Sequence, residues 1–391
     1  MSKIVFFNIP AYGHTNPTLG VVKELVSRGH QVWYYSYNVM RKEIESAGAT
    51  FISCDDYDTE QKLSEKDATR VGKDLAFSAK ILVDTTLALD EKVSKEMAEL
   101  KPDCIVADSM ALWGKAVALK LGIPFVSSTT TFAFNKHSAR IMKQGIGDLL
   151  KMIFTSPKTS KEVKRLKAKG YPVKNILDII GSDDNTNTIV YTSPEFQPCS
   201  ETFSEKYAFV GPSIRPATDE IEKNRDKLIY ISMGTVNNDM MSFYKQCISA
   251  LTYTDYQVIM SVGNIVSIEE FGKLPENISV FSHVDQIAVL KQADVFLSHC
   301  GMNSVSESLY FGVPLVMLPQ TSEQKGVSER VFQLGAGVKL DKSVYVLSAI
   351  NEILEDNTYK ENALKIADGF KNSSGAKGAA DKIIKVCEEA Q

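Results

Sequence analysis

HVDQIAVLKQADVFLSHCGMNSVSESLYFGVPLVMLPQTSEQ, residues 283–324, holds two short apolar runs, 295–298 and 315–318, each leading into a polar turn. The first run passes into His299-Cys300-Gly301-Met302-Asn303-Ser304, and a helix-like segment follows that stops at Gly312. A strand that enters a helix and returns to a strand is a βαβ unit, which places neighbouring strands parallel. Open parallel sheets bind ligands at the carboxyl ends of their strands. The turn at 299–304 therefore stands where a ligand belongs.

The residue types there suit a diphosphate. A glycine lets backbone N–H groups approach closely. A helix start adds unpaired N–H donors and the positive end of a dipole. His299, Asn303 and Ser304 add side-chain donors. Taken singly, Asn303 or Ser304 also suits a helix cap and His299 a buried core position; their joint spacing favours the ligand site. Glu307 follows Asn303 by four residues, on the same helix face, and its carboxylate can accept from a ribose diol. Glu323 and Gln324 fall in the next strand-to-helix loop, and a carboxylate beside a carboxamide suits sugar hydroxyls.

The same alternation runs through the rest of the chain. Residues 3–8, 31–36, 104–107 and 124–127 read as strands, with helices at 17–28 and 112–121. It restarts with strands at 228–232, 256–261 and 278–281. Between the halves, GPSIRPATDEIEKNRD (211–226) carries two prolines and dense charge and reads as an exposed linker. The expected architecture is α/β, two Rossmann-like domains facing across a cleft. Residues 1–210 form the first domain, 227–375 the second, and 376–391 a C-terminal helix. The locally basic stretch 151–174 reads as a solvated helix face.

Bulk properties narrow the class. The 391 residues are 44% hydrophobic and 24% charged, as in ordinary globular proteins. Forty-four basic against 48 acidic residues leave a net charge of −4, with no basic field for nucleic acid. No apolar run approaches the roughly 18 residues of a membrane span. Six scattered cysteines without a leader sequence read as reduced thiols, and the expected location is cytoplasmic. No DxD, HxxxH or Cys/His cluster suggests a metal. No GxGxxG follows the first strand, which argues against a nicotinamide dehydrogenase.

AYGHTNPT (11–18) follows the first strand. Pro17 suits the first position of a helix and Thr15 or Asn16 its cap, which would set His14 before a positive helix end that disfavours imidazolium. CIVADSM (104–110) ends another strand at Asp108. An aspartate there could accept from one histidine nitrogen and fix the tautomer. Alone, Asp108 equally suits the cap of the helix at 112–121.

The 283–324 stretch resembles the nucleotide-sugar signature of family 1 UDP-glycosyltransferases, nearest their bacterial macrolide-glycosyltransferase-like branch. IYISMGT (229–235), IVYTSPEFQP (189–198) and GHTNPTLG (13–20) agree with it. The resemblance implies the GT-B fold and an inverting, metal-independent transfer of a hexose, glucose by the Glu-Gln pair, from a UDP-sugar. It implies diphosphate contacts by His299, Gly301, Met302, Asn303 and Ser304, with Thr235 near the phosphates. Glu307 would hold the ribose, Val284 and Gln286 the base, and Glu323 and Gln324 the sugar. Ser261 would line the nucleoside pocket. Asn16, from its place at a helix start, would reach the phosphates across the cleft. The His14–Asp108 pair would deprotonate an acceptor hydroxyl.

Two positions depart from the family pattern. His283 stands where a tryptophan often stacks on the base, and Asp285 replaces a proline, which is expected to loosen the turn. The expected partners are a UDP-sugar and a small hydrophobic hydroxyl acceptor lying near Met110, Phe132 and Phe134, residues that suit the core equally well. The expected oligomeric state is a monomer. An epimerase or hydrolase of the same fold, or a non-catalytic nucleotide-sugar-binding helper, would share the donor motif.

Overall fold

In a computed structural model, residues 1–55, 75–141, 156–174, 185–234, 239–340 and 345–389 are described. The first sheet contains β1 (Lys3–Phe7), β2 (Gln31–Ser36), β3 (Thr50–Ser53), β4 (Cys104–Asp108), β5 (Phe125–Thr129), β6 (Asn187–Val190) and β7 (Tyr207–Phe209). Their order is β3-β2-β1-β4-β5-β6-β7. The second contains β8 (Leu228–Ser232), β9 (Gln257–Ser261), β10 (Ile278–Phe281), β11 (Val295–Ser298), β12 (Leu315–Met317) and β13 (Gly337–Lys339), in the order β10-β9-β8-β11-β12-β13. All pairings are parallel.

The central strands are continuous apolar runs because helices cover both faces of a parallel sheet. All of β4, β8 and β11 is buried. In each sheet the order reverses direction beside the first strand, at β1/β4 and at β8/β11. Register sets Phe7 beside Ala107 and Ser232 beside Ser298. The residues at and just past the carboxyl ends of these strands, Asn8, Asp108 and His299 among them, therefore meet at the crevices where such sheets take ligands.

The chain crosses between domains twice, and the crossings touch: Gly375 N–H donates to Val210 O at 2.7 Å. The last helix, Gly375–Glu389, returns to the first domain, where Ala379, Ala380 and Ile383 pack with Val21, Val22 and Leu25. Phe132, Phe196 and Phe370 form an aromatic chain at the seam, with ring centroids 5.3 and 5.4 Å apart. Arg330 adds hydrogen bonds to the carbonyls of Phe196 and Glu195 at 2.9 and 2.7 Å.

Three details differ from or refine the sequence reading. The first helix is Tyr12–Ser27, with Pro17 inside it; neither Thr15 nor Asn16 caps it. The linker is pinned rather than free, for Asp285 and Asp294 hold it to the second domain, as detailed below. Along Ser156–Ala168, Val163 and Leu166 turn inward while Lys161, Lys164 and Lys167 are exposed, as a solvated face requires. Residues 151–155 of the basic stretch lie outside the described residues. All six cysteines are outside any disulfide. Among the described residues no helix is long and apolar enough to cross a membrane.

Candidate active site

The Tyr12–Ser27 helix starts without a side-chain cap because Ala11 is extended and its carbonyl accepts directly from His14 N–H and Thr15 N–H at 3.0 and 2.9 Å. His14 thus lies in the first turn of the helix rather than before it. Asn8, the residue after β1, donates from Nδ2 to His14 O at 3.0 Å and to the Tyr34 hydroxyl at 2.8 Å. Tyr34 also pairs with Thr18 Oγ1 at 2.7 Å. This buried net anchors the turn from below. Only the position of Asn8 at a strand end hinted at it.

His14 Nδ1 lies 2.8 Å from Asp108 Oδ2, across 94 residues of sequence. The aspartate side chain is fully buried and the imidazole is 23% exposed. Asp108 Oδ1 accepts from Met110 N–H at 2.8 Å. The helix at Leu112–Leu121 starts from Ala111 without a side-chain bond, so Asp108 is not its cap. Thr130 Oγ1, unforeseen in the sequence, is 3.2 Å from the same Nδ1. With Nδ1 committed to a carboxylate, Nε2 is the nitrogen able to take a proton.

Burial is the largest influence on the His14 pKa and lowers it, but Asp108, by charge and hydrogen bond, and Glu323, by charge, raise it above 6.5 overall. The helix-end field expected to keep the ring neutral is therefore not what decides its titration; the neighbouring carboxylates are.

On the other wall, the His299 ring packs against Gly234 and Gly301. A Cβ on either glycine would come within 2.7 Å of it. Burial lowers the His299 pKa to about 4, partly countered by the Ser232 backbone, so the ring is neutral near pH 7. Gly301 is the N-cap of the Met302–Tyr310 helix and no side chain caps it, Asn303 and Ser304 included. That leaves first-turn N–H groups free for an anion. Met302 is buried in the core, so only its backbone is available there.

Gln286 Nε2 donates to Glu307 Oε2 at 2.5 Å and lies 3.4 Å from Ser304 Oγ. The buried Tyr230 hydroxyl donates to Gln286 Oε1 at 3.3 Å. Burial raises the Glu307 pKa, with Gln286 and Arg215 opposing. Ser261 ends β9 and is buried, Val284 packs against the core, and His283 is exposed. Thr235 lies outside the described residues. Asn16 is exposed on the first helix.

Asn303 departs from expectation. Its Nδ2 donates to Gly13 O at 2.9 Å, across the cleft and beside His14. Asp285 corrects the sequence reading more sharply. Instead of loosening its turn it fastens it, capping the Gln286–Leu290 helix through Ile287 N–H and accepting from Arg215 and Thr218.

Glu323 and Gln324 open the Ser322–Gln333 helix. Glu323 faces solvent, yet crowding by protein raises its pKa, with the His14 charge pulling the other way. Gln324 is half committed to structure, since its Oε1 accepts from Gln320 and Thr321 N–H at 2.8 and 3.1 Å in a capping box. Its Nε2 remains for a ligand. Of the residues expected near an acceptor, Phe132 is core, Met110 half-buried and Phe134 42% exposed. Among the described residues no group of three His, Cys, Asp or Glu could hold a metal ion.

The chain superposes on the glycotransferase of kitacinnamycin with a TM-score of 0.85 over 98% of each chain, at 24% identity. On CalG4, the calicheamicin glycosyltransferase, the TM-score is 0.82 over 99% of this chain and 98% of that one, at 25% identity. Two parallel Rossmann-like sheets with facing carboxyl edges make it a GT-B protein, the architecture of glycosyltransferases. Over 393 residues it is 33% identical to the NDP-glycosyltransferase YjiC of Bacillus licheniformis, covering 97% of this chain and 96% of that one. The family model UDP-glucoronosyl and UDP-glucosyl transferase matches residues 215–373. The chain belongs to that family and is a glycosyltransferase.

Proposed function

We propose that the protein transfers a hexose, glucose, from a UDP-sugar to a hydroxyl of a small hydrophobic natural product, with inversion and without a metal. The observation that carries this is the 2.8 Å His14–Asp108 contact in one wall, within electrostatic reach of Glu323 in the other. His14 Nε2 takes the acceptor proton, and the resulting imidazolium is held by Asp108. The acceptor oxygen bonds to the anomeric carbon from the face opposite UDP. The bond from that carbon to the diphosphate oxygen breaks, and its electron pair leaves with UDP. The charge that develops there meets the free N–H groups of the Met302–Tyr310 helix, with His299 and Ser304 as further donors. Glu307 takes the ribose, with the Gln286 side chain on its carboxylate, and Glu323 and Gln324 Nε2 take the sugar. The structural neighbours named for kitacinnamycin and calicheamicin support a natural-product acceptor.

The test is His14→Ala, assayed with UDP-glucose and a panel of hydroxylated aromatic and macrocyclic acceptors. Transfer should disappear while UDP binding changes less than about twofold. The wild-type product should carry the inverted linkage by NMR, at a rate insensitive to EDTA. Undiminished transfer by the variant, or free sugar formed without any acceptor, overturns the reading.

A further inference from the structure

The Asp285 side chain is 2% exposed and has donors on both sides. From the interdomain linker come Arg215 Nη2 at 2.6 Å, Thr218 N–H at 2.5 Å, Thr218 Oγ1 at 2.9 Å and Asp219 N–H at 3.2 Å. From its own helix comes Ile287 N–H at 3.1 Å. The next residue, Gln286, reaches Glu307. Further along the linker, Lys223 Nζ donates to Asp294 Oδ2 at 2.6 Å and Asn224 N–H to Gln257 Oε1 at 2.9 Å. Polar contacts from the linker to Asp285, the peptide bond to Gln286 and the Gln286–Glu307 bond therefore connect the linker to the Glu307 carboxylate.

We propose that Asp285 is a positioning residue for the donor: by clasping linker residues 215–219 to the start of the Gln286–Leu290 helix, it holds Gln286 against Glu307 and aims that carboxylate at the ribose of a nucleoside diphosphate. The proposal rests on the reading of Glu307 as the ribose ligand. Its logic is geometric. Gln286 is the first residue of a five-residue helix, too short to fix its own axis. Core packing of Val289 and Leu290 holds its far end; its first turn, where Gln286 lies, is set by the cap, and the cap is tied to the linker. A buried carboxylate with this many donors has little freedom to turn. Arg215 also acts on Glu307 directly, since its charge lowers the Glu307 pKa against the effect of burial. Loss of the clasp should thus be felt in donor binding and not in acceptor binding.

The experiment is calorimetric titration of UDP into the full chain and into Asp285→Asn, Arg215→Gln, Glu307→Gln and the Asp285→Asn/Glu307→Gln double variant, with KM for donor and acceptor and Tm for each. Glu307→Gln should weaken UDP binding; if it does not, the ribose reading itself falls. Given that it does, Asp285→Asn and Arg215→Gln should each weaken UDP about tenfold and raise the donor KM alike, with the acceptor KM unchanged. The double variant should bind little worse than Glu307→Gln alone, because both changes act through one contact. A merely structural role would lower Tm and leave UDP affinity within about twofold, or give additive losses, and either result overturns the proposal. Should Asp285→Asn fail to fold, Thr218→Val, which removes the 2.9 Å hydroxyl donor of the clasp and no charge near Glu307, decides the matter: weakened UDP binding upholds the proposal and unchanged binding overturns it.

Discussion

The Asn303 amide donates to the Gly13 carbonyl at 2.9 Å, so the second domain touches the turn that carries His14. Within its own helix this carbonyl has no partner four residues on, because Pro17 has no N–H. A defect in one helix is satisfied from the opposite domain.

Asn303→Ala should therefore reduce kcat more than it reduces stability. Losing one neutral hydrogen bond costs about 1 kcal/mol, or roughly fivefold in rate if the bond holds the two walls in register. Steady-state kinetics beside thermal melting separates the two. A variant with wild-type kcat and lowered Tm would make the contact structural only.

The pH profile follows from His14. Its pKa lies above 6.5, and the base must be neutral, so kcat/KM should rise with pH through that raised value to a plateau. Asp108→Asn removes the largest raising influence and leaves burial, so the acid limb should move to lower pH while the plateau drops by about 100-fold or more. Stability runs the other way. A raised histidine pKa stabilises the fold below pH 6.5, and that contribution is lost as pH climbs through the folded value. A profile that keeps its limb in Asp108→Asn would remove His14 from the titration.

How much of this was legible depends on the range of the signal. The strand-turn-helix at 295–310 could be read because its pattern is local: three apolar residues, a polar turn with a glycine, then a helix face. The His14–Asp108 pair could be inferred because Asp108 ends one strand and His14 lies in the turn after another, and parallel sheets gather strand ends and the turns that follow them at one edge. The start of the first helix was misread, since Pro17 ordinarily marks a first turn and here sits inside the helix. Thr130 and Asn8 were missed because their contacts depend on side-chain directions that no spacing encodes. Asp285 was misjudged for a similar reason. Its partners lie 66 to 70 residues away in a linker whose composition suggests freedom.

Gly301→Ala probes the turn proposed to hold the diphosphate. The backbone there is ordinary, at φ −60°, so the effect is steric: the added Cβ would lie 2.7 Å from His299 Nε2. On its other side the ring already lies close to the Gly234 backbone. Displacing His299 should weaken UDP binding by roughly tenfold, with a loss of about 1–3 kcal/mol in stability from overpacking. Calorimetric titration with UDP checks the first and denaturant melting the second. A variant with unchanged UDP affinity would place His299 outside the diphosphate site.

Gln324→Glu separates two duties of one side chain. Oε1 serves the capping box with Thr321, accepting from Thr321 N–H while Gln324 N–H donates to Thr321 Oγ1 at 3.3 Å. Glutamate fills that role as well as glutamine and adds a negative charge at a helix start, which the dipole favours. The helix should therefore hold, with stability within about 0.5 kcal/mol of wild type. What disappears is the Nε2 donor, the one group of this residue left for a sugar hydroxyl. The donor KM should rise by about five- to tenfold, the effect of one hydrogen bond, while Kd for UDP alone, which lacks the sugar, stays unchanged. Comparing UDP-glucose with UDP in the same variant reads the difference directly. Equal losses for both ligands would mean that Gln324 works through the phosphates or the fold, and the assignment of this turn to the hexose would have to be given up.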